Sequence, residues 1–234
     1  MRWNLELRGQ QGKERRRRDE GPVRAGDVWT WTAVDREAKL VPCWHVGLRN
    51  ARDAETFISD LADRLLGTPQ ITTDGLRVYV SAIKQAFGDL VDYAQLVKIY
   101  GAPEPGTAAR YSPSRIIGAE MLRISGEPDP AQVCTSHVER QNLSMRMGMR
   151  RFTRLTNAFS KKVENHEAAI AVYFMHYNYC QIHQTLRVTP AMAAGLTDHV
   201  GEIEEVIALL DAAESERVAA GAMERGSYRP RNSK

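Results

Sequence analysis

The pattern of apolar and polar positions predicts a layered domain that begins with a pair of strands. The stretch VWTWTAVD at 28–35 has the period of two that is typical of a half-buried strand. After the turn residues REAK, LVPCWHVG at 40–47 predicts a second strand, paired with the first as an antiparallel hairpin. Pro42 cannot donate a backbone hydrogen bond, so we expect it at an edge or bulge.

The next part of the chain alternates between helical and strand patterns. Residues 51–67 carry apolar side chains at helical spacing, and so do residues 76–88. Between them, ITT at 71–73 predicts a short strand, and VDYAQLVKIYG at 91–101 predicts a further one. Residues 101–133 hold several Pro and Gly residues with little periodicity, so we expect a long loop there.

Helical patterns dominate the C-terminal part. They cover about 136–155, 163–181 and 199–214, and a polar tail follows. The order of elements predicts an α/β fold with a mixed sheet flanked by helices. RWNLEL at 2–7 is compatible with a short strand, but the charged residues after it favour a basic flexible arm over 1–26. The expected division is this arm, a core over 27–195, and a C-terminal helix with a disordered tail over 196–234.

Charge adds a candidate partner to this picture. The chain has 234 residues, of which 26% are charged, and a formal net charge of only +3. The positive charge is concentrated at 14–18 and 140–162, where arginine is prominent. Arginine's planar guanidinium suits two-point contacts with phosphate oxygens, which favours nucleic acid as a partner. Solvated charged faces are the alternative reading of both clusters.

The cysteines and the hydropathy exclude several classes of protein. Cys43, Cys134 and Cys180 are far apart, which argues against a zinc site or a disulfide framework. Reduced thiols fit a cytoplasmic location. Since no apolar run reaches about 18 residues, a membrane is not an expected partner.

Two acidic residues lie at positions where an α/β fold could bind a ligand or a metal ion. Asp74 follows the strand ITT, and ligands collect beyond the carboxyl ends of such strands. Gly75 after it leaves room for a close approach, although an Asp-Gly step is also a common turn. Glu139 begins a predicted helix, where it could form a capping box with Ser136. If the fold brings Asp74 and Glu139 together, their carboxylates could hold a hard divalent cation for phosphodiester chemistry.

Arginines follow Glu139 along the same predicted helix. Leu143, Arg146 and Arg150 share its stripe, and Val138, Met145 and Met149 form a neighbouring stripe that can face the core. A metal at the head of the helix and a DNA backbone along it would fit this order. The candidate DNA-binding residues are Arg140, Arg146, Arg150, Arg151 and Arg154.

Three segments carry a resemblance to a known family. TTDG at 72–75 and SHVERQNLSMRMGMRRFTRLTNAFSKKVENH at 136–166 resemble the second aspartate and the glutamate helix of bacterial insertion-sequence transposases of the DDE class, closest to the IS one-type. YNYCQIHQTLRVTPAMAAG at 177–195 is similar to the ending of integrase-like domains, with Gln181 in place of the usual arginine. The resemblance covers roughly 26–210.

The resemblance implies a ribonuclease H-like fold and a DNA transposase. Asp74 and Glu139 would then be catalytic acids and metal ligands, with Mg²⁺ or Mn²⁺ as cofactor. The substrate would be double-stranded DNA, at both the transposon ends and the target, and the active form would be a homo-oligomer. His183 carries over as a structural residue.

The N-terminal part departs from the family. The family's first aspartate lies on the first strand in a D-E-x-W context, and no such stretch precedes Asp35, which resembles the hairpin-turn residue instead. Asp27 and Glu6 are poorer candidates for this acid. The first strand is therefore either missing or replaced, and the N-terminus aberrant or truncated, without the family's end-recognition module. A catalytically inactive fragment that binds DNA as a regulator or remnant is the alternative function, and a cellular ribonuclease H-like nuclease is a weaker third.

Overall fold

A single mixed sheet organises the N-terminal part of the molecule. The computed structural model describes residues 4–12, 28–101, 116–153, 158, 160 and 162–219. The strands are β1 (Asn4–Gly12), β2 (Val28–Asp35), β3 (Trp44–Gly47), β4 (Gln70–Thr73), β5 (Asp92–Tyr100) and β6 (Ile116–Ser125). The helices are α1 (Ala51–Arg64), α2 (Val78–Phe87), α3 (Ser136–Gly148), α4 (Val163–Met175), α5 (Pro190–Ala193) and α6 (Ile203–Ala219). The chain divides into two compact units, Met1–Phe174 and Met175–Lys234.

The sheet has the strand order β3-β2-β1-β4-β5-β6. Strands β1, β4 and β5 are parallel, with Leu7 opposite Thr73 and Thr73 opposite Gln95. The predicted hairpin of β2 and β3 forms antiparallel, and β6 is antiparallel to β5. The carboxyl ends of the three parallel strands therefore meet at one edge of the sheet, which is where ligands of α/β sheets collect.

Strand β1 corrects the expectation for the start of the chain. Residues Asn4–Gly12 pair with both β2 and β4, so the expected flexible arm is wrong for these residues. The physical reason is the alternation of Leu5 and Leu7, whose side chains are 1% and 0% exposed in the core. The first strand is not missing, and its sequence lacks the D-E-x-W stretch of the family. Residues 13–27, including the whole basic cluster at 14–18, lie outside the described residues.

The apolar core lies between one face of the sheet and the helices α1 and α2. Trp31 of β2 packs against Phe57 of α1 and Tyr79 of α2. Helix α1 begins at Asn50, whose side chain accepts a hydrogen bond from the Asp53 backbone N–H at 2.8 Å. The helical and strand patterns of residues 28–100 thus predicted their elements, except that the strand expected over 40–47 is limited to Trp44–Gly47 and leaves Pro42 outside it.

Strand β6 corrects the predicted loop over 101–133. Ile116–Ser125 pair with β5 and form the edge of the sheet, while residues 102–115 lie outside the described part. Most side chains of β6 are exposed. An edge strand exposed on both faces does not need alternating apolar and polar residues, so its sequence lacks the period of two.

Gly126 ends β6 in a conformation that a side chain would disturb. Its φ is +65°, and a Cβ there would lie 2.3 Å from Asp92 Oδ1 and 2.8 Å from the Val91 carbonyl oxygen. Asp92 Oδ1 also accepts the Glu127 N–H at 2.7 Å. We expect Gly126→Ala to lower the free energy of unfolding by about 1–3 kcal/mol, because backbone and carboxylate must both shift.

Urea unfolding of the full chain measures this loss. Gly118→Ala in the same strand is the matched control, since the nearest atom to its Cβ would be Ile99 Cδ1 at 3.8 Å. A Gly126→Ala variant as stable as the control would show that the turn relaxes without cost.

In its described residues the C-terminal unit consists of helical segments joined by turns and loops. A π-helical turn at His176–Cys180 precedes α5 and α6, and Thr189 caps α5 by accepting a hydrogen bond from the Met192 N–H at 3.2 Å. The expected core extended to residue 195, whereas the compact units divide after Phe174. In the described part of the chain, no helix combines the length and apolar character needed to cross a membrane.

Candidate functional site

Asp74 lies at the carboxyl end of β4. The preceding residue, Thr73, turns its hydroxyl toward the Tyr93 hydroxyl at 2.9 Å on the face that carries α1 and α2. Asp74 is the first residue after this strand. Its Oδ1 accepts the Leu76 N–H at 3.2 Å, so Asp74 also makes the turn contact that the alternative reading predicted. Burial raises the pKa of Tyr93 to about 12, and the nearby negative charge of Asp74 contributes in the same direction.

The glycine after Asp74 permits a close approach between the loop that follows β4 and a side chain of β5. A Cβ on Gly75 would lie 3.1 Å from Val97 Cγ2. The Val97 side chain of β5 therefore lies close to the position that a side chain at residue 75 would occupy. A larger residue would push the loop that carries Asp74 away from β5.

Glu139 lies in the first turn of α3, which packs beside β1 and β2. Its Oε1 accepts a hydrogen bond from Thr135 Oγ1 at 3.0 Å and forms an ion pair with Lys98 Nζ. The helix begins after Thr135, which makes no side-chain cap hydrogen bond, so the capping box with Ser136 is wrong. The carboxylate of Glu139 therefore contacts both the N-cap residue Thr135 and Lys98 of β5.

Asp74 and Glu139 line one cleft of about 490 Å³. The floor includes Leu96 and Lys98 of β5, which extends beyond the end of β4. Both acids that were predicted from sequence to share a site thus line this cleft, Asp74 from the end of a strand and Glu139 from the start of a helix.

Positive side chains that the sequence did not single out surround this cleft. Arg49, Arg77 and Lys98 all line it. The Arg49 guanidinium also lies 4.7 Å from the centre of the Trp29 ring, a cation–π contact. Each is an isolated cation in a different part of the chain, so no cluster marks them. For Arg77 a signal exists, because it follows Asp74 by three residues and precedes α2 directly.

The predicted arginine stripe is divided in the structure. Helix α3 ends at Gly148, and Met149 is extended with φ −121° and ψ 106°. Arg140 and Arg146 are exposed on α3, whereas Arg150 lies in a separate 3₁₀ turn. The helix predicted over 136–155 is thus too long, and Arg150 is not on the stripe of Glu139. The predicted burial of Val138, Met145 and Met149 is confirmed.

Arg151 makes contacts within the protein. Its Nη1 donates to Ser160 Oγ at 2.5 Å and to the Asn165 carbonyl oxygen at 3.1 Å. Burial, and then the charge of Arg151, hold the pKa of His166 below its usual value. These contacts link the 3₁₀ turn to the start of α4. Arg154, the last of the predicted DNA-binding residues, lies outside the described part.

The donor set at the cleft fits one hard divalent cation. Magnesium is commonly held by one or two carboxylates, with water and substrate phosphate as the other ligands. Asp74 and Glu139 supply such a pair. Within the described residues, no group of three or more His, Cys, Asp or Glu side chains is placed to hold a metal. Glu6 lies on β1 opposite Thr72, and Asp27 lies outside the described part.

The sequence of the region around α3 matches a known family. Residues 129–180 match the family model described as IS1 transposase. The match includes Glu139 and all of α3 and α4, and it does not reach Asp74 or the sheet. No curated protein sequence matches the chain significantly.

Proposed function

We propose that this protein is a DDE-type DNA transposase that cleaves insertion-sequence ends and joins them to target DNA with Mg²⁺ or Mn²⁺. The observation that carries the proposal is that Glu139, inside the segment matching IS1 transposases, lines the same cleft as Asp74. Neither the family match alone nor the cleft alone would support this function. Together they give a transposase segment and a pair of carboxylates suited to phosphodiester chemistry.

The residues of the cleft would have separate roles in binding the cation and the DNA. Asp74 and Glu139 would hold the cation, which supplies activation of the attacking oxygen and stabilisation of the leaving one. Thr135 fixes Glu139 through its hydroxyl, and the Leu76 N–H fixes Asp74. Arg49 and Arg77 are placed to orient a phosphate at the mouth of the cleft.

Exposed arginines on α3 would extend the DNA contact beyond the cleft. Arg140 and Arg146 follow Glu139 on this helix and are exposed. The mixed sheet with helices is compatible with the ribonuclease H-like fold that we assign to this class. We also propose that the active form is a homo-oligomer on double-stranded DNA.

A cleavage assay tests the function. Full-length protein is incubated with duplexes that carry the terminal sequences of its element, with Mg²⁺ or Mn²⁺ and, separately, with EDTA. The proposal expects nicked ends and strand-transfer products only in the presence of a divalent cation. Turnover in EDTA would contradict it.

One observation favours a second function, a catalytically inactive protein that binds DNA as a regulator or remnant. Among the described residues, the cleft contains two acids and not the three of a complete DDE site. This function predicts salt-dependent DNA binding without any cation-dependent cleavage, because phosphate contacts release counterions. Strand joining by the wild-type chain would exclude it.

Removing the exposed arginines of α3 is expected to weaken binding to all DNA sequences. For Arg140→Ala with Arg146→Ala, we expect the slope of log affinity against log salt to decrease by about 1 per lost phosphate contact. Fluorescence anisotropy with a labelled duplex at several salt concentrations measures the slope. Arg64→Ala is the control, since this arginine pairs with Asp60 on α1. An unchanged slope in the double variant would show that these two arginines do not contact DNA.

A further inference from the structure

Lys98 occupies the position at Glu139 that a bound cation would need. Its Nζ forms an ion pair with Glu139 Oε1, and the Thr135 hydroxyl donates to the same oxygen. The side chains of Lys98 and Glu139 are 22% and 30% exposed, so the pair is partly shielded from water. Lys98 extends from β5 past the end of β4, within the cleft that also contains Asp74.

An ammonium group and a divalent cation cannot share this carboxylate without cost. At this short range the ammonium group and a divalent ion repel each other twice as strongly as two unit charges would. Lysine has a long flexible side chain that can move its charge by several ångströms. Loading of the cation would therefore displace Lys98 from Glu139.

We propose that Lys98 is a placeholder cation that holds Glu139 in position before the metal binds and then contacts a DNA phosphate. This inference rests on the proposed function, since it assumes a divalent cation at Asp74 and Glu139. The phosphate backbone is the anion that would enter the cleft, and Arg49 and Arg77 already give its rim a positive charge. Lys98 is thus a positioning residue in the free protein and a phosphate-binding residue in the complex.

The exchange couples the binding of cation and DNA. The cation releases Lys98 for the phosphate, and the phosphate keeps Lys98 away from Glu139. Each ligand should therefore raise the affinity of the other, and by the same factor. Substituting a lysine that only stabilised the fold would leave this coupling unchanged.

Binding experiments on the full chain test the exchange without relying on turnover. Mn²⁺ affinity is measured by electron paramagnetic resonance of free Mn²⁺, and affinity for a labelled duplex by anisotropy with Mn²⁺ or with EDTA. We expect Lys98→Met to bind Mn²⁺ about fivefold or more tightly without DNA, to bind DNA more weakly, and to lose most of the coupling. Lys98→Arg keeps the charge and should not tighten Mn²⁺ binding.

Arg77→Met is the matched control, because it removes a positive charge from the same cleft while the Lys98–Glu139 pair remains. We expect it to weaken DNA binding with little change in Mn²⁺ affinity. Equal tightening of Mn²⁺ in Arg77→Met and Lys98→Met would overturn the exchange and leave only a general charge effect. Mn²⁺ binding that is unaffected by Asp74→Asn and Glu139→Gln would instead overturn the proposed function. If both acids are needed but Lys98→Met changes nothing, the exchange alone fails.

Discussion

Asp74→Asn and Glu139→Gln are each expected to reduce cation-dependent DNA cleavage by at least about 10³-fold, because a metal site contributes several kcal/mol of transition-state stabilisation. Both changes keep the size of the side chain and remove its negative charge. Asp74 lies in the loop after β4, and Glu139 is partly exposed, so neither change should unfold the protein. DNA binding measured in EDTA should persist or strengthen, because the cleft loses a negative charge.

Single-turnover cleavage with saturating protein measures the loss at the chemical step. Glu127→Gln is the control, since Glu127 carries the same carboxyl group but is highly exposed and pairs with Arg123 outside the cleft. Its activity should remain within about twofold of the wild type. Full activity in either cleft variant would show that catalysis takes place elsewhere or with other ligands.

The sequence predicted the main elements wherever burial imposes a period. Helices α1 and α2 each pack one face against the core, and β2 is a strand with two tryptophans at a spacing of two. The shared cleft of Asp74 and Glu139 was also predicted, although their positions came from a resemblance and not from spacing. Asp74 is recognisable because it ends a short apolar strand, and Glu139 because it begins a helix.

Other features depend on contacts that the local pattern encodes weakly or not at all. Strand β1 is held by Leu5 and Leu7 between two neighbours, in a stretch whose charged continuation favoured an arm. Strand β6 exists through its pairing with β5, and its exposed faces leave no alternation. Helix α3 ends at Gly148, although the arginine-rich sequence continues without a proline.

The cations of the cleft illustrate the same limit. Lys98 lies in a strand that was predicted correctly, yet its ion pair spans 41 positions of sequence and forms only when α3 packs beside the sheet. Arg151 shows the converse, because a residue in a basic cluster is used for contacts within the protein. Charge in a sequence therefore does not distinguish side chains that are available to a partner from side chains that are used within the protein.

Trp31→Ala is expected to lower the free energy of unfolding by about 3–5 kcal/mol, the usual cost of removing a large buried aromatic side chain. Trp31 is fully buried at the centre of β2, its ring centre 5.4 Å from that of Tyr79 in an edge-to-face contact and 6.1 Å from that of Phe57. The cavity would separate the sheet from both α1 and α2. Urea unfolding measures the loss, with Leu66→Ala as the control because Leu66 is 86% exposed.

Trp31→Phe separates ring packing from the polar atom of the indole. The Trp31 Nε1 is buried without a hydrogen-bond acceptor among the described residues, so its removal recovers part of the energy that the smaller ring loses. We therefore expect Trp31→Phe to cost clearly less than Trp31→Ala. If both variants lose the same free energy of unfolding, the shape of the indole ring cannot be replaced by a smaller ring. If Trp31→Ala loses none, the core between β2, α1 and α2 does not stabilise the sheet. Strand β2 pairs with β1, and β1 pairs with β4, the strand that precedes Asp74. Loss of this core should therefore also reduce cation binding at the cleft.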